Sequence, residues 1–162
     1  MWLVGMMGSG KTSAGRMAAK RLGIPFADTD EEVERTAGEP MAQIWRSLGE
    51  QAFRRLESES VAGLEGFEGI VATGGGAVLD ASNREVMASG TVVWLRASPQ
   101  ALTPRAASLG RPLLDGGDPL ETLSRLLRSR EALYREVADR EIDTEELEID
   151  EVAERIEALW NG

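Results

Sequence analysis

The segment Gly5-Met6-Met7-Gly8-Ser9-Gly10-Lys11-Thr12 sets glycines, a lysine and a hydroxyl in the order GxxxxGK[ST]. Glycines at these spacings let backbone amides turn inward around an anion, and a helix beginning at the lysine adds the positive end of its dipole. The lysine then reaches the β and γ phosphates of a nucleotide, and the threonine offers its hydroxyl to Mg²⁺. Gly8, Ser9, Gly10, Lys11, Thr12 and Ser13 are accordingly the expected phosphate contacts. The motif points to nucleotide binding and leaves the reaction open.

Two carboxylates follow in Phe26-Ala27-Asp28-Thr29-Asp30. In extended chain, residues two apart point to the same side. Both acids are therefore expected to face the phosphate loop from the carboxyl end of a strand, where open α/β sheets bind their ligands. Phosphoryl transfer needs Mg²⁺ beside the phosphates and a carboxylate to orient the acceptor hydroxyl and take its proton. Asp28, nearer the strand, is the metal candidate with Thr12, acting through water. Asp30, further out, is the candidate base; its competing role is to cap a helix starting at Glu31.

Further grips for anions lie downstream. Arg54 and Glu57 are spaced i,i+3 in Gly49-Glu50-Gln51-Ala52-Phe53-Arg54-Arg55-Leu56-Glu57 and share a helix face, so Glu57 could hold the guanidinium. Gly74, Gly75 and Gly76 follow an apolar run. Three glycines together cost backbone entropy, which makes sense where a ligand approaches the main chain. Arg111, in Gly110-Arg111-Pro112-Leu113-Leu114, precedes Asp115-Gly116-Gly117-Asp118, a loop able to close over the nucleotide and bring a cation to the transferring phosphate. Leu133-Tyr134-Arg135 lies near the end of an Arg-rich helix, where a solvated face is the default reading of any single arginine.

Composition narrows the chemistry. The 162 residues include no His and no Cys, which excludes imidazole acid–base work, thiol nucleophiles, disulfides and His- or Cys-ligated metal sites. Sixteen of the 18 basic residues are arginine, the side chain suited to bidentate grips on carboxylate and phosphate. The net charge of −10 has the wrong sign for binding nucleic acid through the bulk field. No signal-like segment or run of about 18 apolar residues appears. A cytoplasmic monomer is expected, with neither nucleic acid nor membrane as partner.

The elements that must position these groups are short apolar runs alternating with helical stretches. The runs are Trp2-Leu3-Val4, Ile24 to Ala27, Ile70-Val71-Ala72, Val92 to Leu95 and Glu141-Ile142-Asp143. Between them the pattern predicts helices over Lys11 to Leu22, Glu50 to Leu64, Ser82 to Ser89, Pro119 to Val137 and Val152 to Trp160, the last capped by Asp150. Near-continuous apolar strands alternating with helices imply an α/β fold, a parallel sheet of about five strands covered on both faces. Nothing divides residues 1–162 into separate domains.

Taken in order, these motifs resemble those of the shikimate kinases, small P-loop kinases related in fold to nucleoside monophosphate kinases. The resemblance spans nearly the whole chain, from Gly-Met-Met-Gly-Ser-Gly-Lys-Thr through Asp-Thr-Asp, Gly-Glu-Gln-Ala-Phe-Arg-Arg-Leu-Glu, Gly-Gly-Gly-Ala and Arg-Pro-Leu-Leu to Leu-Tyr-Arg. It implies a three-layer α/β/α architecture with strand order 2-3-1-4-5, a substrate-binding segment at about 31–60 and a lid at about 104–118. It also implies ATP- and Mg²⁺-dependent phosphorylation of the shikimate 3-hydroxyl. On the matching positions, Asp30 would be the base, Arg54 and Arg135 would hold the shikimate carboxylate, and the amides of Gly74, Gly75 and Gly76 would meet the ring hydroxyls. Arg111 would be the lid arginine on ATP, and Arg105 would lie toward adenine, with Pro104 inside what is usually a helical approach to the lid. Phe53 and Glu57 would support Arg54, and Trp45 would wall the pocket. The alternatives are a gluconate-kinase-like enzyme of the same fold and a noncatalytic nucleotide-binding relative.

Overall fold

A computed structural model of the chain describes residues 1–107 and 117–162. Its strands are β1 Trp2–Val4, β2 Phe26–Asp28, β3 Ile70–Ala72, β4 Val92–Arg96 and β5 Arg140–Asp143. Every pairing is parallel, and the order across the sheet is β2-β3-β1-β4-β5, as the resemblance implied. The helices are α1 Lys11–Leu22, α2 Thr29–Ala37, α3 Met41–Gly63, α4 Ala81–Met87, α5 Pro99–Ala107, α6 Pro119–Val137 and α7 Ile149–Asn161. A 3₁₀ turn, Ala77–Leu79, follows β3.

Strand β1 shows why both faces are covered. All three of its residues are buried, but successive side chains leave the strand on opposite faces. Trp2 and Val4 enter a cluster with Val61 of α3, Met87 of α4, and Leu123 and Tyr134 of α6. Leu3 enters a second cluster with Ala14 and Ala18 of α1 and Val152 and Ile156 of α7. Each fully buried Leu, Val or Phe contributes about 1.5–3 kcal/mol relative to an exposed one, so the sheet is held from both sides. A third, smaller cluster, Val33, Ile44 and Phe53, joins α2 to the first part of α3.

The strand order reverses at β1, with β3 on one side and β4 on the other. Loops leaving the carboxyl ends on either side of such a switch point diverge and leave a crevice. The loops after β1, β2, β3 and β5 all contribute to a single cleft here.

Local structure departs from the sequence pattern in four places. Helix α3 begins at Met41, well before Glu50, because two helical pieces run together across a kink at Gly49, whose φ of 78° is open to glycine at little cost. Helix α2 starts at Thr29, so Asp30 lies in its first turn and not in extended chain. The cap is Asp28, which accepts the Asp30 amide at 2.9 Å; the Glu31 start with Asp30 as its cap is not what forms. Helix α7 is capped by Glu148 in a reciprocal box with Glu151 rather than by Asp150. Finally, α5 is helical through Pro104: the proline bends no strand or loop into the approach.

Candidate active site

The loop between β1 and α1 turns through three positive-φ glycines, Gly5 at 142°, Gly8 at 81° and Gly10 at 94°. A side chain at Gly8 would also press on the backbone of Leu102 and Ala106 in α5, so the loop is seated on the approach to the expected lid. Lys11 is buried and donates from Nζ to the carbonyls of Gly5 at 2.9 Å and Met6 at 2.8 Å. Its charge thus sits inside the loop, next to where phosphates would be cradled. Gly8, Gly10, Lys11, Thr12 and Ser13 all line the cleft, which has a volume of about 470 Å³. Ser9 is buried beneath it.

Thr12 Oγ1 donates to Asp28 Oδ2 at 2.6 Å. A hydroxyl and a carboxylate brought together at the phosphate loop are the hard-oxygen donors that Mg²⁺ takes when phosphates and water complete its octahedron. The two residues therefore fit the cation the sequence suggested. Because Asp28 closes the strand and caps α2 while Asp30 lies in the first turn of the helix, the two carboxylates serve different spaces: Asp28 faces Thr12, and Asp30 lines the cleft.

Opposite the phosphate loop the cleft becomes cationic. Arg54 reaches Glu57 at 2.7 Å and Glu50 at 3.4 Å, with its guanidinium carbon 5.6 Å from the centre of the Trp45 ring and 5.4 Å from that of Phe53. Glu57 is 2% exposed. Burial pushes its carboxyl above the ordinary range, Arg54 pulls the other way, and the nearby charge of Asp30 adds to the rise. The glycine run is packed against these groups. A Cβ on Gly74 would overlap the Glu57 carboxylate and stand 2.7 Å from Asp30 Oδ1, and one on Gly76 would overlap the Arg54 guanidinium. The Gly74 amide donates to Thr29 Oγ1 at 2.9 Å, tying β3's exit to the helix that carries Asp30.

The second arginine of this wall is Arg130, not Arg135. Arg135 pairs with Glu131 at 2.9 Å, its side chain 66% exposed, and is absent from the cleft lining. Arg130 is 3% exposed and lines the cleft. Its Nη1 donates to the Gly75 carbonyl at 3.2 Å, while its buried Nε has no hydrogen-bond partner among the described residues. The reason is helical geometry: five residues turn the chain by about 140°, which carries Arg135 to the outer face when Arg130 faces inward.

On the nucleotide side, Arg105 lines the cleft and donates to the carbonyls of Thr144, at 3.1 and 3.2 Å, and Glu145, at 3.0 Å, in the loop after β5. Ile149 closes over Gly10. Arg111 and most of the expected lid lie outside the described residues.

Comparison with known proteins decides the family. The shikimate kinase family model matches residues 7–160. The chain belongs to the shikimate kinase family. A shikimate kinase of Symbiobacterium thermophilum is 48% identical over 163 residues, covering 97% of this chain and 94% of the relative. The structure of the shikimate kinase from Acinetobacter baumannii in complex with shikimate matches with a TM-score of 0.93 at 39% identity, over 99% of this chain and 91% of that one. A gluconokinase from Sinorhizobium meliloti, 20% identical with a TM-score of 0.57, shares the fold alone.

Four cleft residues were not singled out by the sequence motifs: Arg130, Met41, Thr73 and Ile149. For Arg130 a signal existed. Leu123, Leu127, Arg130 and Tyr134 recur at i, i+4, i+7 and i+11, the stripe by which α6 packs on the sheet. An arginine on an apolar stripe is a buried cation that calls for a partner, whereas Arg135 falls beside the stripe. Met41 and Ile149 carry no comparable mark.

Proposed function

We infer that this chain transfers the γ-phosphate of ATP to the 3-hydroxyl of shikimate, giving shikimate 3-phosphate and ADP. The observation that carries the reading is one cleft with a phosphate loop at one end and, at the other, a carboxylate and two arginines, Asp30, Arg54 and Arg130. Cations beyond those a phosphate chain needs suit an acceptor that is itself an acid. The A. baumannii relative, solved in complex with shikimate, is such a case.

In the mechanism, Gly8, Ser9, Gly10, Lys11, Thr12 and Ser13 hold the phosphate chain, and Arg105 stands on the base side. Thr12 and Asp28 would hold Mg²⁺, which when bound neutralises charge on the β and γ oxygens. Arg54 and Arg130 clamp the acceptor carboxylate, and the backbone of Gly74 to Gly76 meets its hydroxyls; Arg130 takes the role first expected of Arg135. Asp30 orients the reacting hydroxyl and accepts its proton as the bond to phosphorus forms. Lys11 and Arg111 stabilise the negative charge on the transferring group, the kind of alignment and electrostatic work on which phosphoryl transfer depends.

The segment at about 31–60 is the acceptor-binding part, and its separate small core of Val33, Ile44 and Phe53 supports that division; residues 104–118 form the lid. We place the chain in the cytoplasm as a monomer that uses ATP. No described helix is long and apolar enough to cross a membrane.

The test is a coupled assay of ADP release with ATP, Mg²⁺ and either shikimate or gluconate. Release with shikimate alone is expected. Release with gluconate alone moves the chain to the other acceptor, and release with neither supports a noncatalytic role.

A further inference from the structure

We propose that Tyr134 is a positioning residue: its hydroxyl fixes the Gly75 carbonyl and, through that oxygen, sets Arg130 against the acceptor. The proposal rests on the reading of Arg130 as an acceptor grip. Tyr134 is fully buried, and its hydroxyl donates to the Gly75 carbonyl at 2.5 Å. The same oxygen accepts Arg130 Nη1 at 3.2 Å. A phenol has one hydrogen to donate, and the Gly75 contact takes it, leaving Met6 Sδ at 3.7 Å as a packing neighbour on the phosphate loop. The ring itself is held independently, stacked on Trp94 with centroids 5.7 Å apart.

This arrangement gives one oxygen two jobs. The Gly75 carbonyl anchors the centre of the glycine run and one arm of a guanidinium whose Nε has no partner among the described residues. Removing the phenolic oxygen leaves that carbonyl with Arg130 as its remaining protein donor. The glycine turn and the guanidinium are then free to settle together in a geometry set by their own attraction instead of the acceptor's shape. Burial also raises the phenol's pKa, so it stays protonated and donating throughout the range in which a kinase works.

The experiment compares wild type, Tyr134→Phe, Arg130→Ala and the double variant in the shikimate-dependent ADP-release assay. Tyr134→Phe keeps the stacked ring and is expected to raise the KM for shikimate about ten-fold, with kcat and the KM for ATP little changed. In the Arg130→Ala background the same substitution should add nothing, since its effect passes through Arg130. An unchanged shikimate KM, an equal rise in both KM values, or an undiminished effect without Arg130 would each overturn the proposal, whatever happens to thermal stability. If Arg130→Ala itself leaves the shikimate KM unchanged, the acceptor reading of Arg130 fails first and takes this inference with it.

Discussion

Arg130→Ala separates the two arginines near the end of α6 and puts a magnitude on the acceptor grip. Arg130 is 3% exposed and lines the cleft, so its interaction with an acceptor forms largely out of bulk solvent. A hydrogen bond to a charged group contributes about 1.5–3 kcal/mol, and Arg54 remains to hold the carboxylate, so one such interaction is the amount at stake. At about 1.4 kcal/mol per factor of ten, the KM for shikimate should rise roughly 10- to 150-fold. Arg130→Lys keeps the charge without the planar fork and should fall between. Arg135, 66% exposed, pairs with Glu131 one helix turn away and lies over the Trp94 ring, outside the cleft, and should tolerate alanine within about two-fold. The assay is initial-rate ADP release at saturating ATP with shikimate varied, alongside the change in tryptophan emission that a Trp45→Phe control assigns to Trp45, which lines the cleft and reports acceptor binding apart from turnover. If Arg135→Ala raised the shikimate KM and Arg130→Ala did not, the buried-stripe reasoning would be refuted.

Four further outcomes follow from the same geometry. Asp30→Asn keeps shape but cannot take a proton, and should lower kcat by about 10²–10⁴-fold; near-normal turnover would leave Asp30 a helix residue only. Asp28→Asn should raise the Mg²⁺ concentration needed for half-maximal rate more than it changes the shikimate KM, which a Mg²⁺ titration reads directly. Gly76→Ala puts a methyl into the Arg54 guanidinium, and should weaken shikimate more than ATP; equal weakening would mean the methyl disturbs the sheet instead. Burial raises the folded-state pKa of Glu57 above 4.5, so the folded chain holds that proton more tightly than the unfolded chain. The stability this gives is fully present below 4.5 and is lost as pH rises through the folded value. Relative to Glu57→Gln, wild type should therefore lose unfolding free energy over that interval in urea titrations, and a pH-independent difference would contradict it.

Much of the site was legible because its motifs are local. In the phosphate loop the ligand is bound by consecutive amides and the next side chains, so the order of Gly8, Gly10, Lys11 and Thr12 already contains the geometry. Arg54 and Glu57 were readable for the same reason, since one helix turn brings i and i+3 together. The Asp28–Thr29–Asp30 step was read in the wrong backbone: the extended chain ends at Asp28, two residues before Asp30, and the helix that starts at Thr29 makes Asp28 the cap and leaves Asp30 lining the cleft. The choice of Arg130 over Arg135 needed the phase of α6 against the sheet, which a short motif does not carry.

The order of residues was enough for the parallel sheet, for the strand order through the family motifs, and for the chemistry open to a chain without His or Cys. Which charges share a space depends instead on how the elements pack. Glu57, Arg54, Arg130 and the glycine run come from three separate parts of the chain, and their proximity depends on how α3 and α6 pack over the ends of β1 and β3. Packing of that kind is set by the summed burial of many side chains, and no single residue announces it.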